Sequence, residues 1–389
     1  MNHSLFNLGF RPFFLGASVF AVLTVAQWMA IYVFGMPMSI GTLTLSQWHA
    51  HEMIYGYSLA VISGFLLTAV KNWTGIHTLH GKSLALAGLF SLWALARLLF
   101  MLGTPFIHLA ASFDLSFVAC LFMAVTQPII RTKNWRQLGI LSKVLLLGAG
   151  NVCFYLGASG LLQEGVYWGV YGGLYAVISL ILLMGGRVIP GFIERGVGYP
   201  VQLFNSRRLA LASLLLFLPF FIVEVFMPGK IISGYLAAGL FLINAARLIG
   251  WHTPGIWKKP LLWGLYLAIT FIVVGFLLFA LSVFAGVSRF PALHAFAYGG
   301  IGIITLAMMG RVALGHTGRS IHDPPALLTG SLLALTAGAI IRVGLPLVAM
   351  ENYVLWIALS QVLWMIAFAL YAIAYAPFLI KPRIDNQPG

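Results

Sequence analysis

Apolar runs of about 20 residues recur a dozen times along this chain, and no other feature limits its fold as much. A helix of that length crosses the hydrocarbon core while satisfying every backbone N–H and C=O internally, so segments this apolar have few other destinations. The candidate spans cover residues 12–34, 46–70, 83–102, 106–130, 139–160, 166–187, 208–227, 231–250, 260–285, 291–314, 326–346 and 354–379. Hydrophobic residues make up 61% of the 389 and charged ones 8%, which predicts an all-α, polytopic membrane protein. No polar linker or low-complexity stretch divides residues 1–389, so a single integral membrane domain is expected. The longest loop expected, Ile189 to Arg207, is rich in Gly and Pro.

Twelve spans put both termini on one side, and the charges select that side. With the N-terminus inside, the inner ends and loops collect Arg11, Lys71, Lys82, Arg131, Lys133, Arg136, Arg187, Arg195, Arg207, Arg208, Lys258, Lys259, Arg311, Arg319, Lys381 and Arg383. The outer loops show Lys230 and Arg289. This is the positive-inside pattern, and it predicts cytoplasmic termini. It also accounts for the formal charge of +14 through contact with anionic membrane lipid, with no nucleic-acid partner. MNHSLFNLGFRPFF has no small-residue cleavage site, so no removable signal peptide is expected. The two cysteines, Cys120 and Cys153, form neither CxxC nor CxxCH, so any haem is held non-covalently.

An internal repeat carries the chemical hint. Residues 51–75 lie without a gap over 294–318, matching His51 with His294, Tyr55 with Tyr298, Gly56 with Gly299, Thr74 with Thr317 and Gly75 with Gly318. A weaker echo relates MGGRVIPGF (184–192) to MMGRVALGH (308–316), which implies a four-helix unit used three times, with spans two, six and ten related. The sixth span has Val170 where the tenth has His294.

Two neutral imidazoles on two rigid helices can hold a haem iron from both faces, whereas a single membrane histidine is commonly a satisfied hydrogen-bonder. His294 with His51 or His49 is therefore the expected ligand set. His49 and His51 are two residues apart and point about 200° from each other on a helix, so they cannot share one iron; one is structural, or they serve two centres. Glu52 is placed to fix an imidazole tautomer. Arg97 and Arg342, inside spans three and eleven, need anionic partners, and haem propionates fit a guanidinium fork. Asp114 offers Arg97 an alternative, a plain helix-hairpin ion pair. His77 and His80 (IHTLHGK) with His316 form a candidate copper set, against the alternative of solvated loop histidines. No HExxH, GxSxG, phosphate loop or catalytic carboxylate pair is present, and no catalytic residue is assigned.

LGFRPFFLGA (8–17), WHAHEMIYGY (48–57), GFLLTAVKNWTG (64–75), ALAR (94–97) and GGRVIP (185–190) together resemble the NnrS family of bacterial membrane proteins along essentially the whole chain. Members are described as haem- and copper-containing and as protecting cells against nitric oxide and nitrosative stress. The resemblance transfers a metal role most directly to His49 and His51, through WHAHEM. The helix arrangement is also similar to the catalytic subunit of haem-copper oxidases and nitric oxide reductases, where histidines on the second and tenth helices hold haem. This chain departs from that pattern: its HxH is on span two, and spans six and seven lack copper-holding histidines. The resemblances imply an inner-membrane protein with b-type haem and a capacity for copper. It would bind or turn over nitric oxide or a nitrosyl species, as a haem-dependent oxidoreductase if quinol or another donor supplies electrons. The competing reading is a transporter or metal exporter without redox chemistry.

Overall fold

The computed structural model describes residues 4–79, 83–385 and 387. Among them twelve helices are long and apolar enough to cross a membrane, and no strand occurs. They are α1 (Phe10–Tyr32), α2 (Leu45–Thr74), α3 (Ser83–Met101), α4 (Ile107–Arg131), α5 (Trp135–Ala158), α6 (Gly165–Gly196), α7 (Arg207–Phe226), α8 (Ile232–Gly250), α9 (Pro260–Phe284), α10 (Arg289–His316), α11 (Ala326–Val348) and α12 (Met350–Ile380). Each expected span has its helix, with ends displaced by a few residues. The largest displacement is at α6, which runs on through Pro190 to Gly196 where a loop starting at Ile189 was expected. Ile189 and Ile193 are both fully buried and one helical turn apart. Burying two such side chains contributes roughly 1.5–3 kcal/mol each, which offsets the roughly 3 kcal/mol cost of a proline in a helix interior.

The chain divides into two compact units. Unit 1 comprises Met1–Gly173, Met309–Ile321 and Phe368–Gly389, and unit 2 comprises Leu174–Met308 and His322–Ala367. In unit 1, α1 packs along α2, α3 pairs with α4, and α4 pairs with α5. The arginine of FRPFF has a structural task there: buried Arg11 donates from Nη1 to the carbonyls of Phe378, Leu379 and Lys381 at 3.2, 2.9 and 2.8 Å. Those are carbonyls at the end of α12 that no further helical turn satisfies, and a cation there also suits the helix dipole. In unit 2, α9 packs against α8 and against the first half of α10, and α11 leans on that same half. On α7, Leu211, Leu215, Leu218 and Ile222 recur at helical spacing and are 55, 61, 58 and 43% exposed, which makes that stripe the lipid-facing one.

Two helices depart from regular α geometry. A π-helical segment occupies Glu52–Ser58 in α2 and another Ala295–Gly302 in α10, each starting directly after a histidine of the repeat. Such turns insert extra chain into the helix, shift the faces that follow and leave backbone groups to be satisfied elsewhere. In α2, Trp93 Nε1 donates to Gly56 O at 2.9 Å and Ser58 Oγ donates to Met53 O at 2.7 Å.

Candidate functional site

The histidines of the repeat belong to different units, and each has its own surroundings. In unit 1, α2 opens on a capping box in which Gln47 N donates to Thr44 Oγ1 (3.2 Å) and Thr44 N donates to Gln47 Oε1 (2.7 Å). That box fixes where the helix starts and sets His49 and His51 in its first turns. His49 is half-buried and lies flat on Trp28, with ring centroids 4.6 Å apart and planes 6° from parallel. His51 is fully buried, with Phe154 and Phe100 rings at 4.1 and 4.7 Å. The two imidazoles thus occupy distinct environments, as their spacing on a helix requires.

His51 sits in a polar cluster drawn from four helices. Its Nδ1 is 3.0 Å from Glu52 Oε1 and its Nε2 is 3.0 Å from Asn151 Oδ1. Asn151 Nδ2 donates to Asp114 Oδ2 at 3.1 Å, which orients the amide, and Tyr155 OH donates to the same oxygen at 3.0 Å. Arg97 reaches both carboxylates: Nη1 pairs with Glu52, and Nη2 lies 2.5 Å from Asp114 Oδ2. Both His51 nitrogens lie within hydrogen-bond distance of side-chain oxygens. The Arg97 guanidinium is the cation shared by the two carboxyl groups, and all four ionisable side chains of the cluster are at 2% exposure or less, which burial tolerates only where such groups are paired. Arg97 takes the carboxylate partner that the sequence offered as its alternative to a propionate. Both ring nitrogens of His51 are thus engaged by neighbouring side chains.

In unit 2 the equivalent histidine is held differently. His294 Nδ1 lies 2.8 Å from Phe290 O, one turn back, and Nε2 lies 3.0 Å from Arg342 Nη2. A carbonyl only accepts and a guanidinium only donates, so His294 is the neutral tautomer with its proton on Nδ1 and its lone pair on Nε2. Arg342 stacks over Tyr353, 5.4 Å from the ring centroid, and no carboxylate pairs with it among the described residues. One turn deeper, Tyr298 OH donates to Ser360 O at 2.7 Å, and Gly338 leaves the room that the hydroxyl fills. Tyr55 in α2 makes a matching bond to Gly169 O, also 2.7 Å, against Gly150 and Gly173.

Of the candidate copper histidines His77, His80 and His316, the described residues include His77 and His316. His80 and Lys82 lie outside the described residues, His316 packs on Phe10 with ring centroids 5.6 Å apart, and no group of three or more His, Cys, Asp or Glu is poised for a metal among the described residues. Cys120 and Cys153 are free thiols. Asn151 and Tyr155 were not singled out from the sequence; the available signal was one amide inside the apolar run LLLGAGNVCFYLG, where a polar group needs a partner. Glu224 was missed in the same way: it is 1% exposed in α7 and pairs with Arg289, whose guanidinium also lies over Phe279 at 4.8 Å and 3.2 Å from Tyr175 OH.

No curated protein matches the chain. A family model described as NnrS protein matches residues 4–383, nearly the full length, and the chain therefore belongs to the NnrS family.

Proposed function

We propose that this protein binds a b-type haem through His294 and binds or turns over nitric oxide or a nitrosyl species, protecting the cell against nitrosative stress. The observation that carries the reading is the His294–Arg342 pair. A histidine whose Nδ1–H is fixed by a backbone carbonyl and whose Nε2 keeps its lone pair is the form that ligates iron. The half-buried guanidinium beside it has no carboxylate of its own among the described residues, and in a membrane span that calls for an anion. A propionate meets that need, and drawing Arg342 toward a carboxylate uncovers Nε2. Bound haem would supply an iron coordination site for the diatomic gas.

In unit 1, His49 is the residue to which a second metal or haem contact transfers through WHAHEM. His51 is a hydrogen-bonding partner within the cluster that ties α2 to α3, α4 and α5. Arg97 holds carboxylates in the same cluster. Copper at His77, His80 and His316 is proposed from the spacing of the first two and the loop position of the third, and a quinol or other electron donor, which would make the protein an oxidoreductase, is proposed with it. The location proposed is the bacterial inner membrane with both termini cytoplasmic, supported by the bias of Lys and Arg toward one set of loops.

We also take α2 and α10 as copies of one ancestral unit with a likeness to haem-copper oxidase subunits. Support comes from the paired π segments, the paired tyrosine bonds, and left-handed Gly75 and Gly318 (φ 71° and 77°) after the matched threonines. A transporter is the second reading, favoured by π turns that interrupt two buried helices. Low-temperature magnetic resonance of the purified protein separates the two. Low-spin or five-coordinate iron signals support haem, a copper(II) signal supports the copper site, and a metal-free spectrum of protein purified with haem supply supports transport.

A further inference from the structure

We propose that the interior of unit 1 carries a file of ordered water that runs from the last turns of α12 to the Glu52–Asp114 cluster and relays protons to it. The inference stands on unit 1 alone and is independent of haem binding. Tyr371 and Tyr375 lie one turn apart on α12, both 0% exposed, with rings stacked at 4.5 Å and 11°. Neither hydroxyl has a hydrogen-bond partner among the described residues. Leaving one buried hydroxyl unpaired costs roughly 1–3 kcal/mol, and here two occur side by side. The other buried tyrosines near this unit's cluster are bonded, Tyr55 to Gly169 O and Tyr155 to Asp114. The exception is therefore local. A partner for both phenols must be small and able to donate and accept, and water in a polar, enclosed site meets that description.

The unpartnered atoms continue in one direction. At one end, the Tyr375 ring is 5.4 Å from Phe378, whose carbonyl is among those Arg11 caps, so the file begins at the terminus of α12. In the other direction Phe368, one turn before Tyr371 on α12, meets Tyr57 of the α2 π segment edge-on at 5.2 Å. Five residues before Tyr57 stands Glu52, whose Oε2 has no partner, and Asp114 Oδ1 is in the same condition. That interval is about one turn of the π segment, which the proposed waters span at hydrogen-bond spacing. Thr24 Oγ1 is buried and also without a partner. It lies on α1 between Phe20, which touches Gly56, and Trp28, which stacks on His49, so it stands at the depth of Glu52. Along such a file each oxygen accepts one proton and releases another, and no other bond is made or broken.

Hydroxyl-radical footprinting of the purified protein, read by mass spectrometry, tests this directly because radicals form where water is. Tyr371 and Tyr375 should be oxidised at rates approaching that of Tyr199, which is 42% exposed between α6 and α7, while Tyr55, equally buried but bonded, stays protected. In Tyr375→Phe, labelling of Tyr371 should fall toward that of Tyr55. Protection of Tyr371 and Tyr375 equal to that of Tyr55 in the unaltered protein would overturn the proposal. So would undiminished labelling of Tyr371 in the variant.

Discussion

Replacing Arg97 with methionine is the sharpest perturbation of unit 1. The substitution keeps a long unbranched stem beside Gly56 and removes the one guanidinium that meets both Glu52 and Asp114. Two buried carboxyl groups then lose their shared cation, and breaking a buried ion pair from one side costs about 3–5 kcal/mol. An exposed pair would cost at most about 1 kcal/mol, so the size of the effect reports burial. Adding Asp114→Asn removes one of the two carboxyl groups left without that cation and keeps an oxygen in reach of Tyr155 and Asn151. The two substitutions should therefore be non-additive, with the double variant recovering about 2 kcal/mol relative to the sum of the singles. The assay is reversible unfolding of detergent-solubilised protein by a denaturing surfactant, followed by tryptophan fluorescence. A cost for Arg97→Met below about 1 kcal/mol, or strict additivity, would refute the shared-cation account.

Two further outcomes follow from close contacts. Gly338→Ala places a methyl on the Tyr298 hydroxyl and should destabilise unit 2 by about 1–3 kcal/mol in the same assay, by the usual cost of overpacking a filled interior. Arg11→Ala removes a charged donor from two α12 carbonyls and that of Lys381 just beyond, and should cost about 1.5–3 kcal/mol; hydrogen exchange should rise in residues 376–380 while α4 is unchanged.

How much of this was legible in the sequence depends on what each feature needs. Span positions follow from hydropathy and length, because a lipid environment leaves helices few alternatives, and the expected ends at 83–102 and 260–285 fall within a residue of α3 and α9. The continuation of α6 past Pro190 was not legible, since it depends on which neighbours bury Ile189 and Ile193. The π segments were equally hidden, because an inserted turn leaves the residue types unchanged and shows only in backbone bonding. Of the candidate site, the alignment of residues 51–75 with 294–318 drew attention to His51 and His294, and the Arg97–Asp114 pairing was available as an alternative to a propionate. What separated the two histidines was their partners: two side-chain oxygens around His51, and one acceptor with one donor around His294. Asn151 comes from α5, a hundred residues away, and no local pattern announces a partner at that distance.

The central claim is that His294, held as a neutral imidazole by Phe290 O beside Arg342, takes the iron. The most direct measurement is the absorption spectrum of purified protein expressed with haem supply, compared with His294→Ala and with His51→Gln. The account predicts a Soret band in the unaltered protein, its loss in His294→Ala, and its persistence in His51→Gln, whose effect should fall on stability. Absence of a Soret band in the unaltered protein, or full haem content in His294→Ala, would contradict it.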